Sequence, residues 1–323
     1  MWDDIKNIID SNHSFVISSH VNPDGDSVGS ALALFECLKA LGKDVVVAMS
    51  DSIPTAYRWL DPEEDILAPV KESDLELISS SDVIFIVDAN AWNRLGGLKE
   101  SLEKSEAVKV VIDHHPYTKE IAPYSVIETK LSSTAELIYD LVDSMNVPIT
   151  ARAADALYTG ILTDTGSFRY ARKNPCAHHI AAKLISLGVD PSRIYDQVYN
   201  HNSEVRTRLM GKTYADIRIT DGGEIAWLIV TKEMVRQTGA SPSDTSGFVD
   251  VTMTITGIKI GIIFVEAEDG RIQISLRSRP ETDVNQIAVK LGGGGHKNAA
   301  GVLFTGTIEE AVKTVIEVAR TAV

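Results

Sequence analysis

Phe15-Val16-Ile17-Ser18-Ser19-His20-Val21-Asn22-Pro23-Asp24-Gly25-Asp26-Ser27 decides the fold of the first half of the chain. A short apolar run opens onto a polar turn, and a helical apolar pattern follows over Ser27–Leu41. Strand, turn and helix in that order begin a β-α unit. The alternation recurs on working outward. Val45–Ala48, Val83–Val87 and Val108–Ile112 read as strands, with a weaker one at Ser125–Ile127. Leu98–Lys104, Ala135–Met145 and Ala151–Leu162 read as helices, and Gly42 stands where the first helix should stop. Such alternation predicts an α/β domain built on a parallel sheet.

From Asn174 to about Tyr214 the pattern is helical without strands, and the polar stretch Asn200–Glu204 suits a connector. Beyond it, Ile225–Val230, Thr252–Thr256, Gly261–Val265 and Ile272–Leu276 read as strands, closed by a helix over Ile308–Ala319. The expected layout is a first domain over 1–185, a helical linker over 186–214 and a smaller α/β domain over 215–323. A chain of 323 residues, 44% hydrophobic and 24% charged, can bury such cores without staples.

Lys and Arg number 31 against 45 Asp and Glu, a net charge of −14. A field of that sign opposes a duplex phosphate backbone, so no duplex DNA partner is expected. A small polyanion stays admissible where cations invert the local charge. Cys37 and Cys176 are far apart and form neither a disulfide framework nor a zinc pattern. Met1-Trp2-Asp3-Asp4 has no basic-then-apolar leader, and no apolar run reaches the roughly 18 residues of a membrane span. A cytoplasmic protein without a membrane partner is the expectation.

The strand ends carry the chemistry. The first strand runs into His20, with Asp24 and Asp26 in the next turn; the third ends on Asp88; the fourth ends on Asp113-His114-His115. A further acid, Asp164, follows Gly160-Ile161-Leu162. In an open parallel sheet the site lies outside the carboxyl ends of the strands, where these groups converge. Taken singly, each has a plain alternative: Asp26 reads equally as a helix N-cap, Asp88 as a turn acid, and the Asp-His-His triplet as a polar loop. Together, carboxylates crowded into a crevice repel unless a cation sits among them. His and Asp without thiolate suit Mn²⁺ or Mg²⁺, with Co²⁺ admissible. The number of groups exceeds the needs of one ion. Two metals about 3.5–4 Å apart, sharing a carboxylate and a water, are the arrangement used for in-line phosphoryl displacement.

These residues resemble the motifs of the DHH phosphoesterase superfamily, whose members include RecJ-type exonucleases, manganese inorganic pyrophosphatases, cyclic-dinucleotide hydrolases and nanoRNase/pAp phosphatases. Ser275-Leu276-Arg277-Ser278-Arg279 and Gly292-Gly293-Gly294-Gly295-His296-Lys297-Asn298-Ala299-Ala300-Gly301 look like its DHH-associated substrate domain. The resemblance covers nearly the whole chain and points to the nanoRNase/pAp phosphatase branch. It implies Mn²⁺-dependent release of mononucleotides from very short RNA and removal of the 3′-phosphate of 3′-phosphoadenosine 5′-phosphate (pAp). It implies one metal on His20, Asp24 and Asp88 and another on Asp26, Asp88, His114 and Asp164, with Asp88 bridging. Asp113 would support its neighbour from behind, and His115 would face the scissile phosphate. A homodimer is plausible by the same analogy.

The glycine run Gly292–Gly295 reads either as a flexible loop or, with His296 beside it, as a backbone anion nest. Arg277 and Arg279 share one face of an extended segment and suit bidentate phosphate binding. Substrate contacts are therefore expected from Arg277, Arg279, Gly293, Gly294, Gly295, His296 and Asn298, with Arg94 as a further candidate. His13, His178, His179 and His201 are left out of the metal site, and Phe168 and Tyr170 are expected in packing rather than stacked on a base. The competing readings are a pApA or cyclic di-AMP phosphodiesterase and a non-catalytic nucleotide-binding module. Intact metal-ligand positions argue against the second.

Overall fold

The computed structural model describes residues 1–116, 120–171, 174–200, 202–267 and 269–323, and of Ser73 and His296 only the backbone. It divides into two compact units, Met1–His201 and Asn202–Val323.

The first unit holds α1 (Asp3–Ser11), β1 (Ser14–Ser18), α2 (Gly25–Ala40), β2 (Asp44–Ala48), β3 (Ile66–Leu67), α3 (Leu75–Ser79) and β4 (Val83–Val87). It continues with α4 (Lys99–Lys104), β5 (Val108–Asp113), β6 (Tyr124–Ile127), α5 (Thr134–Ser144), α6 (Ala151–Asp164), α7 (Cys176–Ser186) and α8 (Pro191–Tyr199). Its six strands are all parallel in the order β3-β2-β1-β4-β5-β6, as the alternating pattern predicts. Chain order reverses between β1 and β4, and ligand crevices form at such a switch point. β4 is buried along its whole length, which is why Val83-Ile84-Phe85-Ile86-Val87 reads as a continuous apolar run. α2 is buried on nearly every side and packs closely on α6: a Cβ on Gly29 would stand 2.3 Å from the Ala156 carbonyl oxygen.

The second unit holds α9 (Glu204–Ala215), β7 (Arg218–Ile219), β8 (Ile225–Val230), α10 (Lys232–Thr238), β9 (Ile260–Glu266) and β10 (Arg271–Ser278), then α11 (Val284–Lys290), β11 (Gly294–His296), β12 (Ala299–Thr305) and α12 (Ile308–Arg320). Its sheet runs β11-β12-β10-β9-β8-β7, with β8 and β9 parallel and the other pairs antiparallel. α12 is capped by Thr307 and Glu310 and buries Ala311, Val315, Ile316 and Ala319 on one face. The stretch expected as a linker contributes α8 to the first unit and α9 to the second.

One expected strand is absent. Thr252–Thr256 alternates as a strand would, but Phe248–Thr254 forms a 3₁₀ helix. The threonine hydroxyls account for it: Thr252 donates to the Val249 carbonyl and Thr254 to that of Val251, satisfying the tight turn locally. Among the described residues no helix is long and apolar enough to cross a membrane.

Candidate metal centre

Asp24 caps α2, accepting the N–H groups of Asp26 and Ser27. Asp26 therefore lies inside the first turn, and the cap that its position suggested belongs to Asp24. Freed from capping, Asp26 turns to α5: its carboxylate accepts the Thr134 N–H at 2.6 Å and the Ala135 N–H at 2.9 Å. A helix N-terminus favours negative charge there. Burial and the neighbouring Asp88, Asp164 and Asp24 nevertheless push the Asp26 carboxyl well above the usual range, against the lowering by the Thr134 N–H.

Asp88 follows β4 with φ of 57°, a left-handed conformation uncommon outside glycine. Its N–H is tied to the Ile112 carbonyl, so the backbone of β5 holds the bend. The two carboxylate oxygens face different neighbours. Oδ2 lies 3.1 Å from His20 Nε2, whereas Oδ1 accepts the Thr134 hydroxyl at 2.9 Å and lies 3.7 Å from His114 Nε2. Burial opposes ionisation of Asp88, but the His20 hydrogen bond and the nearby imidazoles hold its carboxyl far below the usual range.

Among the described residues three groups of donors result, each with ligand atoms within 4.8 Å of one another: His20, Asp24 and Asp88; Asp26, His114 and Asp164; and Asp88, Asp113, His114 and His115. All six expected metal ligands fall within them. Two histidines carry the test of fit. His20 Nδ1 is 2.8 Å from the Val21 carbonyl oxygen, so that nitrogen carries a proton and Nε2 faces Asp88, with Asp24 at 3.8 Å. Among the described residues His114 Nε2 is buried with no hydrogen-bond partner, 3.2 Å from Asp164 Oδ2, while its Nδ1 faces the Leu131 carbonyl. An imidazole anchored through one nitrogen to a carbonyl, with the other aimed at carboxylates, is the arrangement of a metal-ligating histidine. Burial lowers the pKa of His114, keeping its ring neutral and suited to coordination. For His20 burial acts in the same direction, but the Asp88 hydrogen bond and the Asp88 and Asp24 charges outweigh it and raise the value. The donor set fits hard or borderline divalent cations.

Asp113 is fully buried at the end of β5. Its Oδ1 accepts the N–H groups of His114 and His115 and the Nδ1–H of the His115 ring at 2.7 Å. It thus orients the His115 ring and holds the backbone of both histidines. Arg94 ends a short 3₁₀ turn, its carbonyl receives the N–H of Val21 next to His20, and its charge opposes the carboxylates that raise the His20 pKa.

In the second unit Arg277 lies near the end of β10 with Nε 3.3 Å from Asp250. Arg279 is just past the strand, and its guanidinium donates to the carbonyls of Met253 and Ile258. Asn298 donates to Ser278 Oγ and to the carbonyls of Arg279 and Thr282, binding the turn after β10. The second half of the glycine run is paired: Gly294 and Gly295 lie in β11 against Gly301 and Ala300 of β12. Cβ atoms would strike the Gly301 carbonyl oxygen at 2.1 Å from Gly293 and that of Ala299 at 2.6 Å from Gly295, and Gly295 has φ of 147°. A Cβ on Gly294 would meet nothing within 4 Å. The side chain of His296 lies outside the described residues.

Thr134 and Asn90 escaped the reading of the sequence. Asn90 donates to the His115 carbonyl and is buried. A signal for Thr134 existed: Ser133-Thr134-Ala135-Glu136 has the S/T-x-x-E spacing of a helix start, whose first N–H groups seek an anion.

Comparison with known proteins bears on this site. Residues 14–161 match the DHH family, N-terminal domain, and residues 226–322 match the DHHA1 domain. A Thermus thermophilus protein named bifunctional oligoribonuclease and PAP phosphatase NrnA is 32% identical over 94% of this chain and 88% of its own. A Bacillus subtilis protein of the same name is 27% identical over 89% of this chain and 88% of its own. The crystal structure of an exopolyphosphatase-related protein from Bacteroides fragilis superposes with a TM-score of 0.95 at 34% identity, covering 99% of this chain and 95% of that one. The chain belongs to the DHH–DHHA1 phosphoesterases of the NrnA type, and it is a hydrolase of phosphoester bonds.

Proposed function

We propose that this hydrolase degrades very short RNA to mononucleotides and removes the 3′-phosphate of pAp to leave AMP. The observation that carries the reading is the pair of donor groups at the β1/β4 switch point, with Asp88 contributing to one and standing against the other through its second oxygen. The names of the Thermus and Bacillus relatives support the substrate class. His20, Asp24 and Asp88 are assigned to one divalent cation, and Asp26, Asp88, His114 and Asp164 to a second, with Mn²⁺ preferred over Mg²⁺ or Co²⁺ for a mixed imidazole and carboxylate set. Cations held there supply charge that acidifies water and offsets the charge of the phosphoryl oxygens.

The chain's own groups supply position. Asp113 fixes the tautomer and plane of His115 by accepting its Nδ1–H, so His115 is assigned to the phosphoryl group. Arg94, close to His20, and Arg277, with a fork that can exchange Asp250 for phosphate, are assigned to binding. Gly294 is assigned to close approach of substrate, its α-carbon being open to space. Gly293, Gly295, Arg279 and Asn298 are assigned to shaping that surface.

The test is chromatographic analysis of pAp and of a three-nucleotide RNA, each incubated with Mn²⁺ or with EDTA. AMP from pAp and mononucleotides from the RNA, both abolished by chelation, are expected. No product from either would overturn the proposal and bring pApA and cyclic di-AMP forward as substrates.

A further inference from the structure

Thr134 is wholly buried at the first position of α5, and its two hydrogen-bond donors serve two different carboxylates. The N–H donates to Asp26 Oδ2 at 2.6 Å, and the hydroxyl donates to Asp88 Oδ1 at 2.9 Å. Other buried helical threonines behave otherwise: those of Thr159 and Thr213 return their hydroxyls to the carbonyl four residues back. At the start of a helix no helical carbonyl lies four residues back. The hydroxyl instead crosses 46 residues of sequence to a carboxylate.

The partner is the carboxylate held in the left-handed conformation. Asp88 Oδ2 is oriented by His20. Oδ1 is oriented by the Thr134 hydroxyl and faces His114 and His115 at 3.7 and 3.5 Å. Among the described residues no other hydrogen bond reaches Oδ1, so without the hydroxyl the carboxylate is hydrogen-bonded only through Oδ2 to His20 and its last torsion is less constrained.

We infer that Thr134 is a positioning residue that sets Asp88 Oδ1 and Asp26 in register, so that the two donor groups hold cations together rather than separately. The inference rests on the two-cation assignment made above. Groups that orient metal ligands typically carry 10–100-fold in affinity.

Calorimetric titration of Mn²⁺ into the full-length protein tests it, comparing wild type with Thr134→Ser, Thr134→Ala and Thr134→Val. Ser and Ala differ by one oxygen atom. Thr134→Ala is expected to bind Mn²⁺ about tenfold or more weakly, with Thr134→Ser close to wild type. Its turnover of pAp should fall in kcat and recover as Mn²⁺ is raised, whereas general loosening of the helix would not respond to metal. Equal affinity in Ala and wild type, or equal weakening in Ser and Ala, overturns the inference. If Ala does not fold, Val, which keeps the shape without the hydroxyl, takes its place. Failure of both to fold also overturns it, leaving Thr134 a folding residue. A wild type that binds no Mn²⁺ would instead remove the cation assignment itself.

Discussion

Asp88 concentrates three constraints in one residue: a left-handed backbone, a carboxylate with oxygens facing different imidazoles, and complete burial. A backbone strained in this way costs about 1–3 kcal/mol and persists where the surroundings over-determine it. Here the Ile112 carbonyl, His20 and Thr134 do so. Asp88→Ala should lose chelator-sensitive turnover entirely in a discontinuous assay of AMP release. Retention of the full metal-dependent rate would defeat the assignment. Arg277 behaves differently because its side chain is partly exposed and its partner Asp250 is more so. Arg277→Ala should raise KM for pAp several-fold while kcat stays near wild type, the signature of uniform binding lost. The candidate metal ligands were legible because an acid or imidazole at a strand end is recognisable from its immediate neighbours. Thr134 was not, because a buried threonine at a helix start is ordinary until its partner is known.

At the scale of elements, close approach of α2 to α6 depends on Gly29. Gly29→Ala forces a methyl against the Ala156 carbonyl and should cost about 1–3 kcal/mol in urea denaturation, with the m-value unchanged. An unchanged midpoint would mean that the helices part without strain. The start of β1 is held differently. Asp82 accepts the Ser14 N–H, the Ser14 hydroxyl and the His13 N–H, which hold its exposed carboxyl below its ordinary value of 3.8. A depressed folded value contributes stability above the ordinary pKa and loses it as pH falls through the folded value. Asp82→Asn should therefore lower the melting temperature modestly at neutral pH and shrink the acid loss of stability below about pH 4. A melting curve parallel to wild type at every pH would remove this role. The elements themselves were mostly legible from apolar periodicity. Phe248–Thr254 was not, because threonine hydroxyls bonding three residues back satisfy a turn whose residues alternate like a strand.

At the scale of the molecule, binding at the donor cluster should stabilise the fold by mass action. Mn²⁺ at about one hundred times its dissociation constant should add about 2.7 kcal/mol, read as a higher melting temperature that EDTA reverses. Asp88→Ala should abolish the shift, and a shift that survives in that variant would place the ion elsewhere. The sequence by itself determined the α/β class, the parallel first sheet, the acidic and imidazole strand ends, and the motifs that the DHH and DHHA1 domains share. These are properties of residues close together in the chain: periodicity, the polarity change at a strand end, the residue that follows. Only the tertiary structure decided that β1 and β4 are neighbours, that Asp26 turns from its own helix to the start of α5 more than a hundred residues on, and that Arg279 spends its guanidinium on backbone carbonyls. Each depends on which distant groups burial brings within hydrogen-bond reach. A buried polar atom must find a partner wherever one lies, and local sequence carries no record of that choice.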